Sequence, residues 1–168
     1  MDIKIVDNFM PEDVFLQYSK NIIKIPWYGS TVITEGDLDC KILCDPIDNF
    51  QFIHVFYGDN TPQTEHYYKF VEPLLSHIKI RSLIRAKINL NPRTEKIIQH
   101  GYHIDNKFND SFTAILYLNT NNGYTEFENG TKVESIENRL VTFPSFYKHT
   151  GSTCTDKPYR IGINLNYF

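Results

Sequence analysis

Tyr159-Arg160-Ile161-Gly162-Ile163-Asn164-Leu165-Asn166-Tyr167-Phe168 alternates without a break. In an extended chain successive side chains point to opposite faces, so Ile161, Ile163, Leu165 and Tyr167 share one face. Arg160, Gly162, Asn164 and Asn166 share the other. A strand with one apolar and one polar face belongs to an antiparallel sheet packed on one side. The same pattern appears upstream, where Ile84, Ala86, Ile88 and Leu90 alternate with Arg85, Lys87, Asn89 and Asn91. Between these stretches lie shorter apolar runs: Thr113 to Leu118, Tyr124 to Phe127 and Leu140 to Phe143. The first is closed by the turn-forming run Asn119-Thr120-Asn121-Asn122-Gly123. Many short strands separated by turns predict a mainly β chain of the α+β class, a sandwich or jelly roll.

The first eighty residues read differently. Pro11 with Glu12 and Asp13 opens a helical pattern carried by Val14, Phe15, Tyr18, Ile22 and Ile25 and stopped by Pro26. A second helix is expected to start at Thr61-Pro62 and to continue through Ile78, kinked or split by Pro73. Phe50 to Phe56 reads as a strand of undecided phase. With 168 residues the expectation is one domain, residues 1–168, in which a helix-rich support region (1–80) backs a strand-rich core (82–168).

Composition narrows the function. Hydrophobic residues at 41% and charged residues at 22% exclude a disordered chain, and aromatics reach 14%. The net charge of −3, without a basic stripe, argues against a nucleic-acid partner. Three cysteines, Cys40, Cys44 and Cys154, make no paired framework, and the acidic N-terminus does not resemble a signal peptide. No apolar stretch is long enough for a membrane span. A soluble, cytoplasmic protein is the expectation.

Six histidines are present, and two have informative neighbours. His103-Ile104-Asp105 places an imidazole and a carboxylate two residues apart, on the same side of an extended chain. His149 is the best candidate for a third ligand. Two imidazoles and one carboxylate leave coordination positions open, the donor set of non-haem Fe(II) oxygenases. Arg160, on the polar face of the last strand, presents a fork suited to a carboxylate. Metal and guanidinium together would suit a dicarboxylate chelated at one end and pinned at the other. Read singly, His-x-Asp is more often structural or incidental than functional, and His149 alone is unremarkable. Cys40 and Cys44 have no second pair at zinc spacing and read as loop thiols. His100 reads as a supporting or surface residue, His54, His66 and His77 as packing or surface, and Trp27 as a loop anchor in preference to a lid.

The segments His103–Asn106, Ile115–Asn119, Arg139–Ser145, His149–Gly151 and Tyr159–Phe168 resemble, in order and spacing, the catalytic core of Fe(II)/2-oxoglutarate-dependent dioxygenases of the prolyl 4-hydroxylase type, most of all the small stand-alone forms of phage and bacteria. The resemblance covers residues 103–168 and extends more weakly to 83–91. It implies a double-stranded β-helix with the N-terminal helices packed on one sheet. It implies Fe(II) held by His103, Asp105 and His149, and 2-oxoglutarate as cosubstrate with Arg160 on its distal carboxylate. Ascorbate would be an accessory reductant. Tyr117 stands where relatives place a hydroxyl on the same carboxylate, and Asn91 where they often carry a tyrosine. Asn164 shares the side of Arg160, and Thr113 and Thr150 are candidate pocket hydroxyls. Of the polar residues at 85–91, Lys87 is expected to face solvent. The implied reaction is hydroxylation of a C–H bond in a prolyl or other peptide residue, or in a small molecule, with release of succinate and CO2. Two other readings remain: a jelly-roll binding module without turnover, and a cupin-type enzyme, which would normally bring more histidines and a glutamate.

Overall fold

The computed structural model describes residues 2–33 and 40–168. Strand β1 (Lys4–Val6) is followed by helix α1 (Glu12–Ile22), β2 (Tyr28–Ser30), β3 (Lys41–Ile42), β4 (Gln51–Gly58) and β5 (Thr61–Pro62). Helices α2 (His66–Phe70) and α3 (Glu72–Ile78) come next, then β6 (Leu83–Pro92), β7 (Gly101–Tyr102) and β8 (Phe112–Tyr117). The chain continues as β9 (Tyr124–Phe127), β10 (Lys132–Glu134), β11 (Arg139–Pro144), β12 (His149–Gly151) and β13 (Tyr159–Tyr167).

The large antiparallel sheet runs β1-β11-β8-β13-β6-β4-β2, with β5 attached to β4. Opposite it, β10-β9-β12 forms a smaller sheet, and β3 pairs with β7. The bridges Gln99↔Ser152 and His103↔His149 join the strand around β7 to β12. This is a jelly roll, mainly β, as the strand pattern predicts.

The alternation in β13 decides what each face of the large sheet meets. Ile161, Ile163 and Leu165 join Ala86 and Ile88 of β6 and Ala114 and Leu116 of β8 in one apolar face. That face packs on Phe15, Tyr18 and Ile22 of α1 and on Phe70, Val71 and Leu74 of the α2–α3 pair. Each of the Ile, Leu, Val and Phe side chains among these stabilises the fold by about 1.5–3 kcal/mol relative to exposure. Tyr18 also donates its hydroxyl proton to the Phe70 carbonyl at 2.6 Å, pinning α1 to α2. The polar residues of β6 and β13 face inward, toward the smaller sheet.

One helix expectation is corrected. Thr61-Pro62 is strand β5, not a helix start. Asp59 and Asn60 both take positive φ (50° and 59°) and form the two-residue turn that folds β5 back on β4, with Gly58 opposite Thr61. The helical stretch does divide, at Val71 between α2 and α3, with Pro73 in the first turn of α3 where its missing N–H costs nothing. Trp27 packs against the helical core and donates its Nε1–H to the Ile23 carbonyl at 3.0 Å, so it is a loop anchor.

Beyond the pairing of β1 with β11, a side chain also ties the N-terminal segment to the sheet. Asn138, 6% exposed at φ 59°, accepts from the Met10 amide at 2.9 Å and donates to the Met10 carbonyl at 2.8 Å. Asn138→Ala should cost about 2–4 kcal/mol, because it leaves two buried backbone groups unanswered and strains a left-handed residue. Asn138→Gly, which relieves only the strain, should cost less. Urea unfolding of the three proteins measures both; equal midpoints would contradict the assignment.

Candidate metal and carboxylate site

Between the two sheets lies a cavity of about 290 Å³. Its walls come from β6, β8 and β13 on one side and from β9, β12 and residues 100–105 on the other. It has two poles.

At the first pole stand His103, Asp105 and His149, with ligand atoms all within 4.8 Å of one another. The cross-strand bridge His103↔His149 brings together residues 46 positions apart, and their ring centroids are 4.6 Å apart. His149 donates Nδ1–H to the Tyr147 carbonyl at 2.9 Å. This fixes its tautomer and leaves the Nε2 lone pair facing Asp105, 3.8 Å from Oδ2. That distance is too long for a hydrogen bond and short enough for two ligands of one ion.

Asp105 is held on both oxygens. Oδ1 accepts from Arg85 at 3.1 Å, and Oδ2 accepts from the Thr113 hydroxyl at 2.6 Å and from Asn166 at 3.0 Å. Asn166 in turn accepts from Arg85 Nε at 3.0 Å, which closes the network. Three of the roughly four acceptor positions of the carboxylate are taken, and one is left for a metal. Burial on its own raises the Asp105 pKa; the electrostatic pull of His149, Arg85 and His103 and the Thr113 bond outweigh it and hold the group well below the usual carboxylate range. His103 Nδ1 is buried with no hydrogen-bond partner among the described residues. This orphaned nitrogen beside an anionic carboxylate and a free imidazole lone pair fits a divalent cation in the hard-to-borderline class.

At the second pole stands Arg160, 9% exposed. Its Nε donates to Ser135 Oγ at 2.7 Å and one terminal nitrogen donates to Thr125 Oγ1 at 3.0 Å. Thr125 also accepts from the Tyr117 hydroxyl at 2.8 Å, and the guanidinium carbon lies 5.4 Å from the Tyr117 ring centroid. Two glycines make room for it: a Cβ on Gly123 would come 2.7 Å from Arg160 Cδ, and one on Gly151 would come 3.3 Å from a terminal nitrogen. No carboxylate pairs with Arg160 among the described residues. A buried cation answered only by hydroxyls is costly unless an anion reaches it.

The structure thus gathers all seven residues singled out in the sequence around one cavity: His103, Asp105, His149, Tyr117, Asn91, Arg160 and Asn164. Lys87, expected on the solvent side, also lines the cavity, because it lies on the inward face of β6 with Asn89 and Asn91. Thr113 supports Asp105, whereas the buried Thr150 accepts from the Gly101 amide at 3.1 Å and does not line the cavity. Cys40 and Cys44 are half-buried and lie outside any metal-ligating cluster of the described residues. Thr125, Ser135, Gly123 and the Arg85–Asp105 pair were not foreseen.

No protein-family model and no curated protein sequence matches the chain. Solved structures do match it in three dimensions. A 2OG-Fe(II) oxygenase family oxidoreductase from Burkholderia pseudomallei superposes with a TM-score of 0.68 at 11% identity, over 98% of this chain and 84% of that one. A prolyl hydroxylase from Trichoplax adhaerens, in complex with a hypoxia inducible factor peptide fragment, gives 0.62 at 20% identity, over 99% and 83%. A non-haem alpha-ketoglutarate-dependent carbocyclase from nogalamycin biosynthesis gives 0.66 at 11% identity, over 98% and 78%. The chain shares the jelly-roll fold of these oxygenases.

The site also makes a prediction about protons. Burial pushes His103 and His100 down to about 4, from 6.5. Between pH 6.5 and 4 the unfolded chain therefore binds protons that the folded, metal-free protein does not, and stability falls as pH falls through that window. Each imidazole contributes at most about 2 kcal/mol between pH 7 and 5. Urea unfolding of metal-free protein should show a lower midpoint at pH 5 than at pH 7; a midpoint equal or higher at pH 5 would contradict the burial of neutral imidazoles.

Proposed function

We propose that this protein is an Fe(II)- and 2-oxoglutarate-dependent oxygenase that hydroxylates a C–H bond of its substrate, with release of succinate and CO2. The observation that carries the proposal is the pairing, in one cavity, of a two-histidine, one-aspartate cluster with a buried arginine that lacks a carboxylate partner. Nothing in a jelly roll requires both. His103, Asp105 and His149 would hold the iron, with the tautomer of His149 set by Tyr147 and the Asp105 charge held by Arg85, Thr113 and Asn166. Arg160 would hold the distal carboxylate of 2-oxoglutarate, with Thr125 and Tyr117 beside it and Asn91 and Asn164 along the same wall. Bound there, iron supplies O2 activation while 2-oxoglutarate supplies two electrons. One oxygen atom goes to the substrate and the other to succinate.

The protein's own contribution is alignment and exclusion of water. Arg160 is immobilised by Ser135 and Thr125, so a carboxylate meets a guanidinium that needs no reorganisation. The shared fold supports the reading without choosing a substrate: one solved relative is described with a peptide and another as a carbocyclase. A peptide residue and a small molecule are both compatible with a cavity of this size.

Anaerobic addition of Fe(II) and then 2-oxoglutarate should produce a weak visible charge-transfer band. Asp105→Ala should abolish it through loss of metal, and Arg160→Ala should weaken 2-oxoglutarate binding by roughly 30- to 150-fold, the value of a charge-assisted bidentate pair. Succinate release, with ascorbate supplied as reductant, is then screened against peptide, amino-acid and small-molecule pools. A band without turnover on any pool would favour a binding module; no band at all would overturn the proposal.

A further inference from the structure

Several cavity side chains have no part in the roles assigned above, and one of them is a buried imidazole. His100 is 1% exposed and lines the cavity, and neither Nδ1 nor Nε2 has a hydrogen-bond partner among the described residues. Buried polar groups are almost always satisfied, so an imidazole with both nitrogens unanswered in a cavity wall points to a partner from outside the protein. It is not a fourth metal ligand, since the ligand cluster comprises His103, Asp105 and His149 alone among the described residues.

The backbone is built to place it there. The His100 amide donates to the Gly151 carbonyl at 3.3 Å, and the neighbouring bridge is Gln99↔Ser152, so His100 lies opposite Gly151. Three residues on, the bridge is His103↔His149. The register slips by one residue between the two, and the slip falls at Gly101, with φ 143°. A Cβ there would sit 2.2 Å from the Lys41 carbonyl oxygen, so only glycine fits. In an unbroken strand, positions 100 and 103 would face opposite sides. The slip turns both toward the cavity. Directly across, Gly151 leaves open the space in which a Cβ would approach Arg160 at 3.3 Å. Cross-strand neighbours share a face, so the His100 imidazole is set beside the Arg160 guanidinium. Burial, aided in smaller measure by the Arg160 charge, outweighs the opposing pull of the Gly151 carbonyl and keeps His100 neutral at pH 7, with one N–H to donate.

We infer that His100 is a second anchor for the carboxylate bound at Arg160: its N–H donates to a carboxylate oxygen of the dicarboxylic 2-oxo acid. The inference rests on the oxygenase reading above and deepens it. Arg160 supplies the charge, and His100 adds a directional donor that only an acid with a distal carboxylate can use. His100 is therefore a positioning and selectivity residue for the cosubstrate.

Calorimetric titration of Mn(II)-loaded protein tests this without turnover. 2-Oxoglutarate is compared with 2-oxobutyrate, which has the same 2-oxo acid end and no distal carboxylate. His100→Ala should weaken 2-oxoglutarate about tenfold and leave 2-oxobutyrate and Mn(II) affinities unchanged. Either His100→Asn or His100→Gln, which place an N–H near Nδ1 and Nε2 respectively, should restore most of the loss. If His100→Ala binds 2-oxoglutarate like the wild type, or weakens both acids equally, the inference is wrong while the oxygenase reading stands. If the wild type binds no 2-oxoglutarate, both are wrong. The amide variants and the Mn(II) affinity separate a lost contact from a damaged fold.

Discussion

The constraint on which this structure depends is the inward-facing polar row of β6 and β13. Their apolar faces are claimed by the helices, so the strict alternation sends Arg85, Lys87, Asn89 and Asn91, with Arg160, Asn164 and Asn166, toward the second sheet. Buried polar groups have to be answered. Some are answered by neighbours, as in the Arg85–Asn166–Asp105–Thr113 network. The rest surround a cavity, where the Asn89 and Asn164 side-chain oxygens and the His100 ring have no protein partner among the described residues. The cavity is thus the consequence of a sheet whose two faces were both given work.

The two poles are stiffened differently. At the metal pole, charge and hydrogen bonds lock Asp105, and a backbone carbonyl orients His149. At the carboxylate pole, hydroxyls hold Arg160 without neutralising it, and glycines clear the space around it. The first arrangement preserves an anion for a cation to meet, and the second preserves a cation for an anion. His103 and His149 at one pole and Arg160, Tyr117 and Thr125 at the other sit on paired strands of the sandwich, which keeps their separation constant better than loops would.

Much of this was legible in the sequence. The alternation at 159–168 and 84–91 announces the sheet and its faces, and His103-x-Asp105 places two ligands on one side of the chain. Arg160 was legible as the cation on the polar face of a recognisable strand, and His149 because its segment resembles the dioxygenase core. What was hidden depends on pairing across distance. Thr125 and Ser135 meet Arg160 only because β9, the end of β10 and β13 converge, and hydroxyls carry no periodic signal. Lys87 was misread because a polar face looks the same whether it meets water or a cavity. Thr61-Pro62 was misread because proline suits a helix start and an edge strand equally, and the deciding residues were Asp59 and Asn60 just before it. His100 reads from the sequence as a supporting or surface residue because its inward turn depends on the slip at Gly101.

The central claim is that the histidine–aspartate cluster and Arg160 serve one bound molecule, which touches both. Linkage between the two ligands tests it most directly. The affinity for 2-oxoglutarate should be measured by calorimetry with and without saturating Mn(II), together with the affinity for Mn(II) with and without 2-oxoglutarate. The account predicts that each tightens the other by the same factor, at least tenfold. Affinities that are independent of one another would contradict it.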